Sequence, residues 1–440
     1  TMDIGSIENW TRTHSINQIS QDIDAQEVTL FGWVQEIRDL GGIRFIIIQD
    51  NTGSTQITIL KKRADPEVLQ KSNLLQKRFS IAIKGAIKKT NMTPRGIEII
   101  PTQIKLLNIA NEQLPLDITG KTPANIEARI DARALDLTTE TTLSVFKIQH
   151  TALQAIRNFV FEKGYLEVHT PRIIASATEG GAELFSVKYF DQAAYLAQSP
   201  QLYKEQLTMS IEKVFEVGPF FRAEESHTRR HLSEFTSVDI EQAFANADDV
   251  MTLLEQIIHH VFVTVKEKCA NELHALKYKF EVPELPFKRL TYTEVLETLK
   301  EHGVEIPWGE DIPTEAFREL GKLYPFFYFV TDWPSEAKPF YIKPRKDEPQ
   351  ISESFDLMWR YIELVSGGTR IENKEQLVSR MQEKGLNPES FKYHLQTFDW
   401  GMPPHAGWAI GLERLTMILS GRKNIREATL YPRDKVRLTP

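Results

Sequence analysis

Cysteine is almost missing: Cys269 stands alone in 440 residues. That excludes an internal disulfide framework and any metal site built from several thiolates. No apolar run approaches the roughly 20 residues that span a bilayer. The opening Thr1-Met2-Asp3 lacks the basic stretch and apolar core of a secretory signal. A cytoplasmic protein with no membrane partner is the expectation. Positive charge is also in short supply, with 53 Lys and Arg against 60 Asp and Glu and a net charge of −7. This argues against holding nucleic acid by bulk electrostatics, while leaving room for a local basic face. Internal repeats and low-complexity stretches are absent as well. What is present is ordinary for a globular chain, 41% hydrophobic and 26% charged, long enough for one modest and one large domain.

Strand-like segments crowd the N-terminal quarter. Residues 28–37, 43–49, 55–60, 79–88 and 96–106 are rich in Val, Ile, Phe and Thr, with turns at Gly41-Gly42 and Thr52-Gly53. A helical stretch at 65–75 falls after the third strand. Five strands with a helix after the third is the element order of an OB-fold barrel, which often binds single-stranded nucleic acid. Any other small five-stranded barrel fits the pattern too. Residues 111–126, NEQLPLDITGKTPANI, are polar and aperiodic and read as a hinge. Beyond them, 142–163 carries a helical apolar face (Val145, Ile148, Leu153, Ile156, Phe159), and 166–171 reads as a strand ending at Pro171. Further strands at 214–220, 236–243, 326–331, 354–357 and 363–366 mix with helices at 247–268 and 374–383. The predicted organisation is an all-β domain over 1–108, a hinge over 109–130 and an α+β domain on an antiparallel sheet over 131–440.

The stretch 215–241, FEVGPFFRAEESHTRRHLSEFTSVDIE, is the most informative. A hydrophobic strand delivers Arg222 and Glu224 at alternate positions, hence to one face. A loop with His227, Arg229, Arg230 and His231 follows, and a second strand carries Phe235, Asp239 and Glu241. Such a hairpin can hold a nucleotide, arginine gripping phosphate and a phenylalanine offering its ring to a base. A solvated hairpin with charge pairs on one face explains the same residues. In GWAIGLERL, 407–415, small residues lead into a helix and place Arg414 near its first turn, where it would draw an anion. Alone, an arginine there is more often a surface residue.

Taken in order, Pro171 closing a helix–strand unit, FRAE inside strand–loop–strand, and GLERL resemble motifs 1, 2 and 3 of the class II aminoacyl-tRNA synthetases. An OB-like domain placed first resembles subclass IIb, the aspartyl, asparaginyl and lysyl enzymes. The resemblance extends over nearly the whole chain, and the layout without a large insertion is similar to the archaeal and eukaryotic type. It implies an N-terminal OB-fold anticodon-binding barrel and a C-terminal class II synthetase domain. It further implies a homodimer through motif 1 around Pro171, with motifs 2 and 3 binding ATP. Arg222 would meet the α-phosphate and Arg414 the γ-phosphate as the catalytic pair. Phe235 would stack on adenine, Glu224 contact the adenine end and His231 the distal phosphates.

Three segments resemble the aspartyl pattern. Thr178-Glu179-Gly180-Gly181 is similar to the loop that closes over substrate, with Glu179 near the α-amino group. QSPQLYK, 198–204, resembles the aspartyl signature, which implies Gln201 at the substrate and Lys204 on its side-chain carboxylate. Asp239 would orient Lys204 and the substrate ammonium, and Arg370 in SGGTR would grip the same carboxylate, beside Ser366. Such a pocket needs fixed cations and must penalise a neutral amide. A lone helix lysine is usually a surface residue; the complete signature favours the substrate role for Lys204. The resemblance also implies Mg²⁺ held with ATP at Asp356, Glu363 and Ser366, hard oxygen ligands that suit a hydrated ion bridging phosphates. Strand carboxylates paired with a neighbouring cation, Arg360 being nearest in sequence, are the rival reading of that spacing.

In the barrel, Phe45 matches the aromatic on which aspartyl enzymes stack the middle anticodon base, with Arg38 and Gln56 at its edges. A strand phenylalanine more commonly fills a core. Gln35 and Pro94 occupy places that separate relatives restricted to tRNA(Asp) from relaxed ones. They point to tRNA(Asp) as partner together with tRNA(Asn), although Gln35 fits neither pattern cleanly. L-aspartate is the expected amino acid. Tyr361 and Ala409 stand where the family pattern has glycine, and the segment between Lys204 and Arg222 is one residue short. The rivals are an asparaginyl-tRNA synthetase, disfavoured by Lys204 and Asp239, and a catalytically silent RNA-binding relative, disfavoured by intact Arg222, Arg414, Glu363 and Lys204. His259 and His260 diverge on a helix with no third ligand in a suitable pattern and read as ordinary helix residues.

Overall fold

The structure is a computed structural model that describes residues 4–110, 113–175, 183–225 and 228–440. Backbone contacts divide the chain into two compact units, Thr1–Glu140 and Thr141–Pro440.

The first unit is built on a closed barrel with strand order β1-β2-β3-β5-β4: β1 (Glu27–Leu40), β2 (Ile43–Asp50), β3 (Gly53–Leu60), β4 (Ser80–Lys89) and β5 (Ile97–Asn108). Helix α1 (Pro66–Leu74) follows β3, its start capped by the Asp65 carboxylate accepting from the Glu67 amide. These are the elements the sequence predicts, in the predicted order. The interior is mostly isoleucine, with Ile46, Ile48, Ile57, Ile81, Ile83 and Ile99 fully buried. β-Branched side chains alternate inward on every strand and so fill a narrow barrel. The register of β1 on β2 slips between Val34 and Glu36, leaving Gln35 at a bulge. Farther on, α2 (Ile126–Asp131) is capped by Asn125, and in α3 (Arg133–Asp136) the buried Arg133 pairs with Asp136 at 2.9 Å.

The second unit opens with α4 (Glu140–Glu162), followed by the short strands β6 (Leu166–Glu167) and β7 (Ile173–Ile174). The hairpin β8 (Ser186–Tyr189) and β9 (Gln192–Leu196) precedes α5 (Gln201–Ile211). Then come β10 (Lys213–Phe221), β11 (Glu234–Ala243), α6 (Ala247–Lys268), α7 (Ala270–Ala275), β12 (Lys288–Thr291), α8 (Tyr292–Glu301) and α9 (Thr314–Leu323). The chain continues through β13 (Phe327–Thr331), β14 (Ser354–Trp359), β15 (Ile362–Thr369), α10 (Lys374–Glu383), α11 (Lys392–Thr397), β16 (His405–Gly411) and α12 (Leu412–Ser420). Eight strands form one sheet in the order β12-β13-β14-β15-β16-β11-β10-β6. It is antiparallel except at its two edges, where β6 runs parallel to β10 and β12 to β13.

Helices α4 and α6 cover one face of this sheet. In α6, Val250, Met251, Leu254, Ile257, Ile258, Val261, Phe262 and Val265 are buried, a broad helical stripe started by an Asn246–Asp249 capping box. Each such side chain contributes about 1.5–3 kcal/mol relative to exposure. They pack with Val238, Ile240, Trp408 and Ile410 of the central strands. Because strand residues alternate, the neighbours Ser237, Asp239, Glu241, Gly407 and Ala409 face the other side, where the site lies. Among the described residues no helix is long and apolar enough to cross a membrane.

Candidate active site

The free face of the sheet carries one transverse row of short side chains. Asp239 on β11 lies opposite Ala409 on β16, Ala409 opposite Ser366 on β15, and Ser366 opposite Asp356 on β14. Two adjoining cavities open over this row. One, of about 250 Å³, has Gln201, Lys204, Asp239, Lys338, Tyr341 and Arg370 in its lining. The other, of about 340 Å³, has Arg222, Glu224, His231, Phe235, Glu363 and Arg414. Arg222, Phe235, Ser237, Glu363, Ser366 and Ala409 border both. Residues from six separate stretches of sequence thus converge. A larger cavity of about 870 Å³ near Trp308 and Lys343 shares none of these side chains.

The smaller cavity is electrostatically dense. Lys204, 2% exposed, reaches from α5 to Asp239 Oδ1 at 3.0 Å, to the carbonyls of Ile240 and Trp408 at 3.2 and 3.3 Å, and to Glu241 Oε2 at 3.4 Å. Arg370 donates Nε to Glu241 Oε1 at 2.9 Å and Nη2 to Oε2 at 3.3 Å. Burial disfavours the charge on Arg370, but Glu241 outweighs it and holds the guanidinium firmly protonated. Glu241 therefore ties together the two cations that the sequence assigns to one substrate carboxylate. It fits because Gly407 stands beside it: a Cβ there would lie 2.1 Å from Glu241 Oε2. Ser237 Oγ donates to Asp239 Oδ2 at 2.6 Å and fixes the far side of that carboxylate.

In the larger cavity, Arg414 on the first turn of α12 donates to the carbonyls of Glu363 and Arg230 at 2.8 and 3.5 Å. Burial works against its charge and lowers its pKa, with Glu363 opposing. The Arg222 guanidinium lies 5.2 Å from the centroid of the Phe235 ring. His231 meets Thr228 Oγ1 at 2.6 Å through Nδ1 and approaches Glu224 at 3.9 Å through Nε2. Burial lowers the His231 pKa, and the cations Arg414, Arg230 and Arg222 reinforce this against Glu224. Glu413, next to Arg414, is driven up to about 7 by burial, even though it accepts from the Thr236 amide at 2.8 Å.

The residues matched to Mg²⁺ do not act alike. Asp356 Oδ1 accepts from Lys338 Nζ and from Ser366 Oγ, each at 2.8 Å. Arg360 is not its partner: that guanidinium donates to the Pro325 carbonyl at 3.0 Å and lies over Trp359. Glu363 is exposed at the cavity wall, where desolvation by the surrounding cleft, followed by repulsion from Asp356, raises its carboxyl pKa. A carboxylate so disfavoured gains most from a divalent cation, so Glu363 with Ser366 fits hydrated Mg²⁺, and Asp356 fits as the group behind Ser366. Among the described residues no three His, Cys, Asp or Glu side chains converge as a metal cage.

Several expectations change in detail. β10 ends at Phe221, so Arg222 and Glu224 lie just past the strand, although the Arg222 amide still donates to the Ser233 carbonyl at 2.9 Å. GWAIG is itself strand β16, and only from Leu412 does the helix begin. Tyr361 packs its ring under Arg318 at 4.2 Å and has Arg230 at 5.9 Å. The segment between Lys204 and Arg222 passes from α5 to β10 through Glu212 alone, at φ 66. Glu179 and the loop around it lie outside the described residues, as does His227. His259 Nδ1 donates to the Pro283 carbonyl at 2.8 Å, and the His260 ring packs tilted against Phe159. Lys338, Tyr341, Glu205 and His405 escape the sequence reading. Their contacts join positions far apart in the chain and leave no local pattern.

On the barrel, strand register sets Arg38 opposite Phe45 and Phe45 opposite Thr58, with Gln56 in the adjoining row opposite Ile47. Arg38, Phe45 and Gln56 lie outside the core: Ile46 and Ile57 beside them are fully buried, whereas none of these three belongs to the buried cluster. Arg38 pairs with Glu36 at 3.1 Å, and Gln56 donates to Thr58 Oγ1 at 3.1 Å. Gln35 occupies the bulge, and Pro94 is exposed in the β4–β5 turn, where Arg95 donates to the carbonyls of Ile19 and Ser54. On the second unit, Pro171 is exposed, as are the apolar side chains of Phe161 at 76%, Leu166 at 53% and Ile173 at 47%.

Comparison with known proteins agrees with this fold. Residues 125–435 match the family described as tRNA synthetases class II (D, K and N), and residues 28–107 match the OB-fold nucleic acid binding domain. The Aspartate--tRNA(Asp/Asn) ligase of Methanopyrus kandleri is 49% identical over 424 residues, 96% of this chain and 98% of its own length. That of Archaeoglobus fulgidus is 47% identical over 423 residues, again 96% and 98%. Among solved structures, asparaginyl-tRNA synthetase from Pyrococcus horikoshii complexed with asparaginyl-adenylate matches with a TM-score of 0.92 at 30% identity, covering 98% of this chain and 100% of that one. Aspartyl tRNA synthetase from Entamoeba histolytica matches with 0.88 at 30% identity, covering 100% and 96%. With its barrel, its sheet and its convergent motifs, the chain belongs to the class II aminoacyl-tRNA synthetases, and within them to the aspartate–tRNA ligase family.

Proposed function

We propose that this enzyme activates L-aspartate with ATP and transfers the aspartyl group to tRNA(Asp), and to tRNA(Asn) as well. The observation that carries the amino-acid assignment is that Lys204 and Arg370 line one cavity of about 250 Å³ and share Glu241. A substrate carboxylate entering there meets two fixed cations, and the longer bonds from Lys204 to the backbone carbonyls are the ones it displaces. A neutral amide brings no compensating charge, which disfavours asparagine. The likeness to asparaginyl enzymes is one of fold.

The chemistry needs no general base, because the attacking α-carboxylate is already ionised. It attacks the α-phosphorus of ATP in line and expels pyrophosphate, so catalysis consists of positioning and neutralising charge on phosphate oxygens. Arg222 is assigned to the α-phosphate, Arg414 to the γ-phosphate and Phe235 to adenine, with Glu224 at the adenine end and His231 at the distal phosphates. Gln201 and Asp239 are assigned to the aspartate, and Glu179 to its α-amino group. Glu363 and Ser366 would hold Mg²⁺, which would supply neutralisation of phosphate charge. In the second step the 3′-hydroxyl of the terminal adenosine attacks the aspartyl-adenylate. Arg38, Phe45 and Gln56 read the anticodon, with Gln35 and Pro94 at its third base. The relaxed assignment rests on Pro94 and on relatives named for both tRNAs. The exposed apolar side chains near Pro171 in sequence support a homodimer through motif 1, and the working compartment is assigned as cytoplasm.

ATP–pyrophosphate exchange with aspartate against asparagine tests the core of this reading. Aspartate should drive exchange and asparagine should not; equal exchange with both removes the assignment. Charging purified tRNA(Asn) with aspartate tests the relaxed specificity, and no charging of that tRNA makes the enzyme restricted to tRNA(Asp).

A further inference from the structure

A second buried charge pair stands directly behind the amino-acid cavity. Glu205 on α5 and His405 at the start of β16 are 1% and 0% exposed. Their contact, Nε2 to Oε1, is 2.7 Å, and His405 Nδ1 lies 2.7 Å from the Pro403 carbonyl. A carbonyl only accepts, so Nδ1 carries a proton. Gln201 Nε2 donates to the other oxygen, Glu205 Oε2, at 3.1 Å. With Glu205 ionised, both carboxylate oxygens act as acceptors and His405 donates from both ring nitrogens.

We propose that Glu205 and His405 are positioning residues for amino-acid selection, locking the Gln201 side-chain amide so that its carbonyl oxygen, and not its NH₂, is presented to the substrate. This rests on the aspartate reading given above and names the part of the substrate that Gln201 recognises. A carbonyl oxygen accepts from an ammonium and repels a carboxylate. Aspartate carries two carboxylates, of which only the α-group may react, and the ammonium is what distinguishes its two ends. A Gln201 amide held by its NH₂ thus fixes the ammonium and with it the end that faces ATP. Were the amide free to turn, its NH₂ could bind either carboxylate.

The surroundings support the charged form of the pair. Burial alone would lower the pKa of His405, but the bond to Glu205 raises it, with Glu241 adding to the effect. Burial would raise Glu205, but His405 holds it below the ordinary carboxylate range, helped by Arg370. His394, packed nearby from α11, is driven down to about 4 by burial and stays neutral, with Gln206 Nε2 3.1 Å from its Nδ1. The Arg370 amide donates to the His405 carbonyl at 2.9 Å, which joins this pair to the cation that Glu241 holds.

The test uses the full chain. In Glu205→Gln the side-chain amide at 205 can no longer accept at both ends, and Gln201 is released. In pyrophosphate exchange the expected result is a KM for aspartate raised about tenfold or more, with kcat and the KM for ATP within about twofold of the parent. An unchanged KM for aspartate, or equal losses for aspartate and ATP, overturns the proposal. The second measurement needs no altered protein for its outcome. In ¹⁵N-histidine-labelled enzyme at pH 7, His405 should show two protonated ring nitrogens, and a singly protonated ring overturns it. If the parent enzyme shows no aspartate-dependent exchange, the functional reading falls, while the state of the His405 ring still decides the pair.

Discussion

Lys204 is where a single side chain carries most of the specificity argument. Its ammonium is buried against Asp239 and Glu241, so truncating it leaves two carboxylates under-compensated, a loss of roughly 3–5 kcal/mol for a broken buried pair. Lys204→Leu is expected to lower the thermal midpoint and to cut aspartate-dependent exchange by at least about a hundredfold. It should not gain asparagine, because Asp239, Glu241 and Arg370 still shape the cavity for charge; exchange with both amino acids checks this. Glu413 gives a pH effect of known sign. Its folded pKa of about 7 lies above the ordinary glutamate value, so the native state binds more protons than the unfolded chain between about pH 4.5 and 7. Stability from this group is fully present below that window and is lost as pH rises through it, by about 3 kcal/mol in all. Glu413→Gln keeps an oxygen for the Thr236 amide and removes the titration. The substituted enzyme should therefore gain thermal midpoint over the parent at pH 8 and not at pH 4.5, measured by calorimetry at both.

At the scale of elements, the loop between β10 and β11 is held from outside. Arg426 donates Nε and Nη2 to Asp434 at 2.9 and 2.5 Å and Nη1 to the Thr228 carbonyl at 3.1 Å, and the Ser233 amide donates to the Arg433 carbonyl at 2.8 Å. Arg426→Ala is expected to loosen Thr228 and with it His231. ATP affinity should fall about tenfold, read as Kd by equilibrium dialysis. Nothing in the sequence announces this brace, since Thr228 and Arg426 are far apart in the chain and meet only through tertiary packing. Helix α6 is the opposite case: its apolar stripe and Asn246 cap are local features, and its predicted bounds coincide with the observed ones. Periodicity identifies β10 and β11 well, but it carries Arg222 one residue too far into the strand, because the ladder hydrogen bond from its amide persists where the pleat stops. The hairpin of β8 and β9, α8 and α9 went unread. The motif residues Lys204, Asp239, Glu363, Ser366, Arg370 and Arg414 line two adjoining cavities, whereas Glu205, His405 and Lys338 become visible only once β16, α5 and the segment before β14 lie side by side.

For the whole molecule, the question is how two compact units contribute to one reaction. Phe45 sits outside the barrel core on the face shared by Arg38 and Gln56, and base stacking on such a ring contributes about 1–3 kcal/mol. Phe45→Ala should raise the KM for tRNA by roughly fivefold to a hundredfold in aminoacylation. Exchange assayed without tRNA is the reference against which that rise is read. A rise of less than about twofold would take Phe45 out of the RNA-binding face. The long-range logic of the fold is clearest where Gly407 makes room for Glu241. A side chain acquired at 407 would evict that carboxylate, and an eviction would strand Arg370 in the interior. Because the Ile240 carbonyl would stand 2.3 Å from that Cβ whatever residue occupied 241, position 407 is held to glycine on its own account. Positions 241 and 370 can drift in descendants only as a pair, which an alignment of relatives should show.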